Sequence, residues 1–482
     1  MSASALALPA PVAEHRRWLV LALVCTAQFM LLVDDTVVNV ALPSIRADLG
    51  FDERTLTWVV NAYLLTFGGF LLVGGRAADL LGRRRLFMTA LTLFTACSLL
   101  CGLAESPGLL IGARGAQGLG GALLSPAALS ILLVTFPAGR ERTRALGVWA
   151  ALLGLGAATG TVLGGAITET IGWRWVFFLN VPIGIAALAL APRLLPRHQP
   201  SSEHDRLDLP GAATVTAGLL ALVYTVVQTG TQGWASPRTL LGLGLAALLL
   251  AAFAAHEARA TAPLVPRGVI RRRAIAAADG ATLLAAGALL AMFFFLTLYM
   301  QLGQGYSPLR TGLSFLPFSA TMVLCSGIAI KALRWIGART LILAGIALAI
   351  IGFVLYGRLQ PGGSYAGELL APLLVTAAGM GLAFVPLMTA ATTGVAGRDS
   401  GLASGLLTAC QQIGGAIGIA VLVTLASDRT SALLRVGTGQ RPALVGGFHL
   451  AFHVGIGLLL GAGLIGLLIG RVRTDGSPPA IA

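Results

Sequence analysis

Two adjacent carboxylates, Asp34 and Asp35, stand inside the first long apolar stretch, Leu31-Leu-Val-Asp-Asp-Thr-Val-Val-Asn-Val-Ala-Leu-Pro43. An ionisable group at membrane depth costs a few kcal/mol or more, so it is kept there to pair with another group or to carry protons or substrate. A second costly residue, Arg114, lies about seven residues into a later apolar run that opens at Pro107, roughly 11 Å below the surface. Asp34 lies nine residues before Pro43, roughly 13 Å below the same surface. Opposite charges at a shared depth are expected to face a common cavity. The arginine favours an ionised carboxylate and burial opposes it, which leaves proton occupancy movable by conformation; a purely structural ion pair is the alternative. Asp35 points about 100° away from Asp34 and shares a face with Asn39 at i, i+4. Three roles are open for it: recognition of a cationic substrate, carriage of an additional proton, or a protonated acid packed against a helix.

These groups must be positioned by membrane helices. The chain of 482 residues is 56% hydrophobic and only 11% charged, with a mean hydropathy of +0.85, which excludes an ordinary water-soluble protein. Fourteen apolar runs match the roughly 20 residues needed to cross about 30 Å of hydrocarbon, and they are too long and continuous for barrel strands. The fold expected is an all-helical membrane bundle.

The net charge of +14 invites a nucleic-acid reading, but its placement marks topology. Arginines cluster on one side as Arg16-Arg17, Arg83-Arg84-Arg85, Arg140/142/144, Arg271-Arg272-Arg273 and Arg471/473, whereas the other side carries scattered single arginines. This positive-inside excess is expected to place both termini of a multi-pass protein in the cytoplasm and argues against a nucleic-acid partner; the Ala, Gly and Arg richness, with the single lysine Lys331, points to a bacterial cytoplasmic membrane. The run after Arg16-Arg17 is too long for a signal peptide and lacks a convincing Ala-x-Ala site. All five cysteines fall within apolar runs, where a disulfide scaffold is not expected.

The chain divides into a cytoplasmic N-tail (1–17), a six-helix bundle (18–192), a linker (193–209), two additional helices (210–256), a basic loop (257–273), a second six-helix bundle (274–470) and a C-tail (471–482). Transporters commonly duplicate a bundle in this way. An internal echo supports duplication: Gly82-Arg-Arg-Arg85 and Gly337-Ala-Arg339 each sit in a short basic loop that opens a new helix.

Four signatures resemble one family. Gly75-Arg-Ala-Ala-Asp79-Leu-Leu-Gly82-Arg83-Arg84-Arg85 resembles the loop motif of the major facilitator superfamily, and Leu110-Ile-Gly-Ala-Arg114-Gly-Ala-Gln117-Gly118 resembles its fourth-helix arginine motif. Asp34-Asp-Thr-Val-Val-Asn39-Val-Ala-Leu-Pro43 and Trp173-Arg-Trp-Val-Phe-Phe-Leu-Asn180-Val-Pro182 resemble the first-helix and sixth-helix segments of its fourteen-helix drug:proton antiporters. The resemblance covers nearly the whole chain. It implies two six-helix bundles plus a central pair, alternating access, and export of hydrophobic or cationic drugs, dyes or antibiotics driven by the proton gradient through Asp34 and Arg114. It also implies a conformational gate at Gly75, Asp79, Gly82, Arg83 and Arg84. In the fifth helix the family's proline is replaced by Thr161, while the packing glycines Gly156, Gly160, Gly164 and Gly165 remain; a threonine bonded to the previous turn can also bend a helix.

Gln28, Asn39, Asn61, Tyr63, Gln117, Gln301 and Gln411, with Gln412, either line a pocket or bond between helices. Asp279 is expected to pair with Arg271 to Arg273. Phe293 to Phe295 read mainly as packing, and His449 and His453 lie outside the expected central bundle. No phosphate-binding loop, metal-spaced Cys/His set or nucleophile elbow appears, so a transporter without cofactor or catalytic residues, working as a monomer on a small-molecule substrate, is expected rather than an enzyme. An exporter of an endogenous metabolite such as a siderophore, amino acid or peptide, a proton-coupled uptake carrier, and a non-transporting receptor are the rival readings.

Overall fold

The computed structural model describes residues 14–136, 140–195, 208–260, 272–392 and 400–469. All regular structure among them is helical, as the sequence requires. The first group is α1 (Glu14–Leu49), α2 (Glu53–Leu80), α3 (Arg83–Gly102), α4 (Pro107–Thr135), α5 (Arg140–Thr170), the short α6 (Trp175–Phe178) and α7 (Asn180–Leu194). A hairpin follows, α8 (Leu209–Gln232) and α9 (Pro237–Glu257). The last group is α10 (Arg273–Leu298, prolonged by a π turn to Gly303), α11 (Pro308–Ser314), α12 (Leu316–Ile336), α13 (Ala338–Tyr356), α14 (Leu370–Thr392), α15 (Ser400–Arg435) and α16 (Gln440–Gly466).

Among the described residues, twelve helical segments are long and apolar enough to cross a membrane. The expected fourteen exceeds this by two. The helices outside the twelve, α2 and α5, have 28 and 31 residues, and several of their side chains lie outside the described residues.

Local chemistry sets the helix starts. Ser106, Ser236 and Ser307 each cap a helix whose first residue is proline, and their hydroxyls accept from Leu109, Thr239 and Arg310 N–H. The echo between halves has a structural counterpart. Gly82 and Gly337 both adopt positive φ (85° and 82°) at the turns that start α3 and α13, a conformation only glycine takes without strain.

In the N-terminal bundle α4 packs on α1, α2 and α3, and α5 packs on α1; in the C-terminal one α10 packs on α14, α15 and α16, and α14 packs on α12 and α13. The bundles meet along α2 with α15, and where α5 touches α11 and α12. Helix α8 lies against both α2 and α15, with Trp58 and Tyr224 rings 6.3 Å apart and Thr424 Oγ1 donating to Val226 O at 3.3 Å. The α9 helix packs mainly on α8, and its Leu241 and Leu248 are exposed, as a lipid-facing helix requires.

Candidate functional site

The α4 face carrying Arg114 and Gln117, one turn apart, meets the α1 face carrying Asp34 in the interior of the N-terminal bundle. Arg114 Nη1 donates to Asp34 Oδ2 at 2.6 Å and to Gln117 Oε1 at 2.8 Å, and Arg114 Nε donates to Val59 O at 3.0 Å. Gln117 Nε2 donates to Asp34 Oδ1 at 2.9 Å. Asp34 and Arg114, expected to face a common cavity, form a direct ion pair, and Asp34, Arg114 and Gln117 are all 1% exposed or less. Tyr63 lies under the guanidinium, 4.2 Å from ring centroid to Cζ. A charge pair this deep needs further hydrogen bonds to offset desolvation, and here Arg114 donates three and Asp34 accepts three.

Two participants were not anticipated. Asn180 Nδ2 donates to Asp34 Oδ1 at 2.7 Å and lies 3.0 Å from Ser98 Oγ, which itself donates to Phe177 O at 2.9 Å. The sequence signal for Asn180 is its place in the Trp173 to Pro182 segment; Ser98, one of four hydroxyls in its apolar run with Thr89, Thr92 and Thr95, gives none. The same segment anchors the far end of α1: Trp173 Nε1 and Arg174 Nη1 both donate to Asp48 Oδ2, at 3.0 and 2.5 Å. The one span Trp175–Leu194 thus brings Asn180 to Asp34, while the residues just before it reach Asp48.

Asp35 is separate from this network, on a stripe with Gln28 and Asn39 that is half-buried along its length. Asn39 Nδ2 donates to the Asp35 backbone carbonyl at 2.9 Å, not to its carboxylate. Gln301 Nε2 reaches Val40 O at 2.9 Å, tying α10 to α1. Gln411 is half-buried, and Gln412 is buried with its Cβ 3.2 Å from where a Cβ on Gly68 would stand. Asn61 is fully buried, and among the described residues neither of its amide atoms has a hydrogen-bond partner.

The fifth-helix glycines pack as expected. A Cβ at Gly156 would stand 2.6 Å from Leu32 Cβ, one at Gly164 2.8 Å from Val37 O, and one at Gly160 would collide with Thr36 Oγ1. Gly165 and the Thr161 carbonyl instead face α11, the former against Pro308 and the latter where Gly312 comes close. Nearby, Glu169 accepts from Ser307 and from Leu309 N–H at 2.9 Å, contacts that hold its carboxyl below the ordinary range. Arg54 Nη2 and Asp428 Oδ1 form a 2.7 Å ion pair across α2 and α15 at the same end of the bundle.

At the opposite end, Gly82 makes the turn, Arg84 Nη1 donates to Leu195 O at 3.2 Å and Arg83 is half-buried. Gly75 has open space where a Cβ would be, and the Asp79 side chain lies outside the described residues. Of the arginines expected to pair with Asp279, Arg271 lies outside the described residues and Arg272 and Arg273 are exposed. Asp279 is 6% exposed and, among the described residues, its Oδ1 has no partner, which corrects the expectation for those two; it lies six residues into α10 on the side packed against α15. Phe293 packs on Phe315 and Phe318, with centroids 5.2 and 5.0 Å away. His449 is bonded to Leu359 O, away from the Asp34 network.

Among known proteins, the chain is 44% identical to a cephamycin export protein of Amycolatopsis lactamdurans over 85% of both chains. It is 40% identical to a puromycin resistance protein of Streptomyces alboniger over 95% of this chain and 92% of that one. In fold it resembles an auto-inhibited peptide transporter of the POT family, with a TM-score of 0.69 and 16% identity over 97% of this chain and 99% of that one. The sequence pattern of the Major Facilitator Superfamily matches residues 24–419, and with the helical bundle and these relatives it establishes that the chain belongs to this superfamily of transporters.

Proposed function

We propose that this protein is a proton-coupled antiporter that exports antibiotics, above all lipophilic molecules bearing a positive charge, by alternating access. The observation that carries the reading is the buried Asp34 of α1, held by Arg114 and Gln117 of α4 and Asn180 of α7. A proton arriving on Asp34 would cancel the charge that holds Arg114 and release the network. The half-buried Asp35 beside it offers a carboxylate to a cationic substrate. The export and resistance proteins among the relatives support drug efflux.

In this reading the membrane is crossed fourteen times, with α8 and α9 added between the bundles and both termini in the cytoplasm. The contacts of α5 with α11 and of Arg54 with Asp428 then close the external side, and the conformation is inward-facing. Each proton entering supplies roughly 2.3 kcal/mol per 100 mV, enough for an accumulation of tens-fold.

The test is puromycin flux in everted membrane vesicles. Energised vesicles should accumulate puromycin, and collapse of both the pH difference and the voltage should abolish uptake. Accumulation that survives the collapse sinks the proton engine; flux of the opposite sense makes the protein an uptake carrier.

A further inference from the structure

We propose that Asp279 is a second proton-binding carboxyl of the transport cycle, placed in the C-terminal bundle and exchanging its proton with water at the α10 N-terminal end. The inference rests on the proton-coupled reading above. It starts from helix register. A Cβ on Gly287 would stand 2.9 Å from Gly414 O, and Gly414 and Gly418 in turn press against the backbone of Leu283 and Gly287. Four residues of α10 therefore advance beside four residues of α15, and one step back the same register sets Asp279 beside Cys410.

The carboxyl sits in this seam with 6% of its surface exposed and Oδ1 unbonded. No compensating charge faces it among the described residues. On α15 the neighbour is Cys410; α14 brings no titratable group; on α16, His449 and His453 bond to Leu359 O and His449 O beyond the seam, and Arg441 lies in the first turn. On α1, Asp34 is committed to Arg114, Cys25 is buried, and Arg16 and Arg17 are held by Arg193 O and Glu141; Asp35 is acidic itself. Next to α10's start, Arg272 and Arg273 are exposed.

An ionised carboxylate with no donor in such a seam costs several kcal/mol, and a proton removes that cost. Asp34 is the opposite case, since its charge is fully matched. The two acids thus balance charge by different means in one conformation, Asp34 by arginine and Asp279 by a proton. Asp279 lies six residues beyond Arg273, a rise of about 9 Å, so separation of α10 from α15 by a small movement gives it water. The step is a simple dissociation: the O–H bond breaks, the electron pair stays on the carboxylate and the proton leaves to water.

The experiment uses the full chain in proteoliposomes, comparing wild type with Asp279→Asn, Asp279→Glu and Asp34→Asn. Infrared difference spectra across a pH titration should contain a protonated-carboxyl carbonyl band that is missing in Asp279→Asn and restored in Asp279→Glu. Proton counts per puromycin exchanged should fall by one in Asp279→Asn, again restored by glutamate. An unchanged proton count, or no titrating band lost in Asp279→Asn, overturns the proposal. If wild type moves puromycin with no protons at all, the proton-coupled reading fails instead, and the infrared band still reports on Asp279 by itself.

Discussion

Asn180 on α7 and Asp34 on α1 meet at 2.7 Å, with the amide also 3.0 Å from Ser98 Oγ on α3. The carboxylate therefore accepts from α4 and α7 together, while the arginine's other bonds run to α2 and Gln117. Loss of its charge would remove bonds from helices on two sides at once.

Asn180→Leu should remove that bond without adding charge. Hydrogen bonds to charged groups contribute about 1.5–3 kcal/mol, and a loss in this range should appear in thermal unfolding of the purified protein. Asn180→Asp keeps the shape but sets a second acid against Asp34, and it should transport far more slowly than wild type. Equal transport by both variants and wild type would remove Asn180 from the network's working parts.

Much of this arrangement was legible in the sequence. Asp34 and Arg114 announce themselves because charge in an apolar run is expensive, and helix rise places them at one depth. Gly156, Gly160 and Gly164 repeat every four residues and do line the α1 contact. What stayed hidden depends on where a side chain points. Ser98 looks like any hydroxyl, and Asp279 was expected to join the nearby arginines because sequence distance cannot tell that its side chain turns toward α15. Gln117, Tyr63 and Asn61 were equivalent as candidate pocket residues, yet the structure makes the first two partners of Arg114 and buries Asn61 without a bond.

Asp34→Asn should abolish proton-driven export. The substitution leaves Arg114 buried with no counter-charge, and breaking a buried pair in this way costs about 3–5 kcal/mol. The Val59 carbonyl, Gln117 and the Tyr63 ring remain to hold the guanidinium, so the variant should still reach the membrane at a reduced level. Puromycin accumulation in everted vesicles, normalised to protein in the membrane, measures it. A normalised rate near wild type would reduce Asp34 to a structural acid.

Gly160→Ala tests the α1–α5 contact. Alanine gains up to about 1 kcal/mol of helix propensity, but its methyl would strike Thr36 Oγ1, and overpacking of a tight site costs about 1–3 kcal/mol. The clash should win, lowering both stability and transport. Gly75→Ala, where open space replaces the clash, should be neutral or stabilising by the same propensity. Thermal unfolding of the two variants side by side reads the difference.

Arg54 and Asp428 make a half-exposed ion pair between bundles, with side chains 19% and 37% exposed. Such pairs contribute about 0.2–1 kcal/mol, which corresponds to a shift of no more than about fivefold between conformations. Arg54→Gln should therefore raise the population open at that end by up to this factor without stopping transport. The double exchange Arg54→Asp with Asp428→Arg should restore the balance. Spin-label distances across α2 and α15 would show it, and an unchanged distribution in Arg54→Gln would make the pair irrelevant to gating.

Asp35 is the residue through which substrate charge should be read. Among the described residues its carboxylate has no ion pair, and its neighbours on the stripe, Gln28 and Asn39, are uncharged. A cationic substrate docking there replaces water around one acid and gains a charge-assisted bond worth more than a neutral one. Asp35→Asn keeps the volume and a hydrogen-bonding group but removes the charge. Export of dications should fall most, monocations less, and neutral compounds least, measured as resistance and vesicle uptake across a panel graded by charge. Parallel loss across the whole panel would instead make Asp35 a carrier of protons, since every cargo depends equally on the driving gradient.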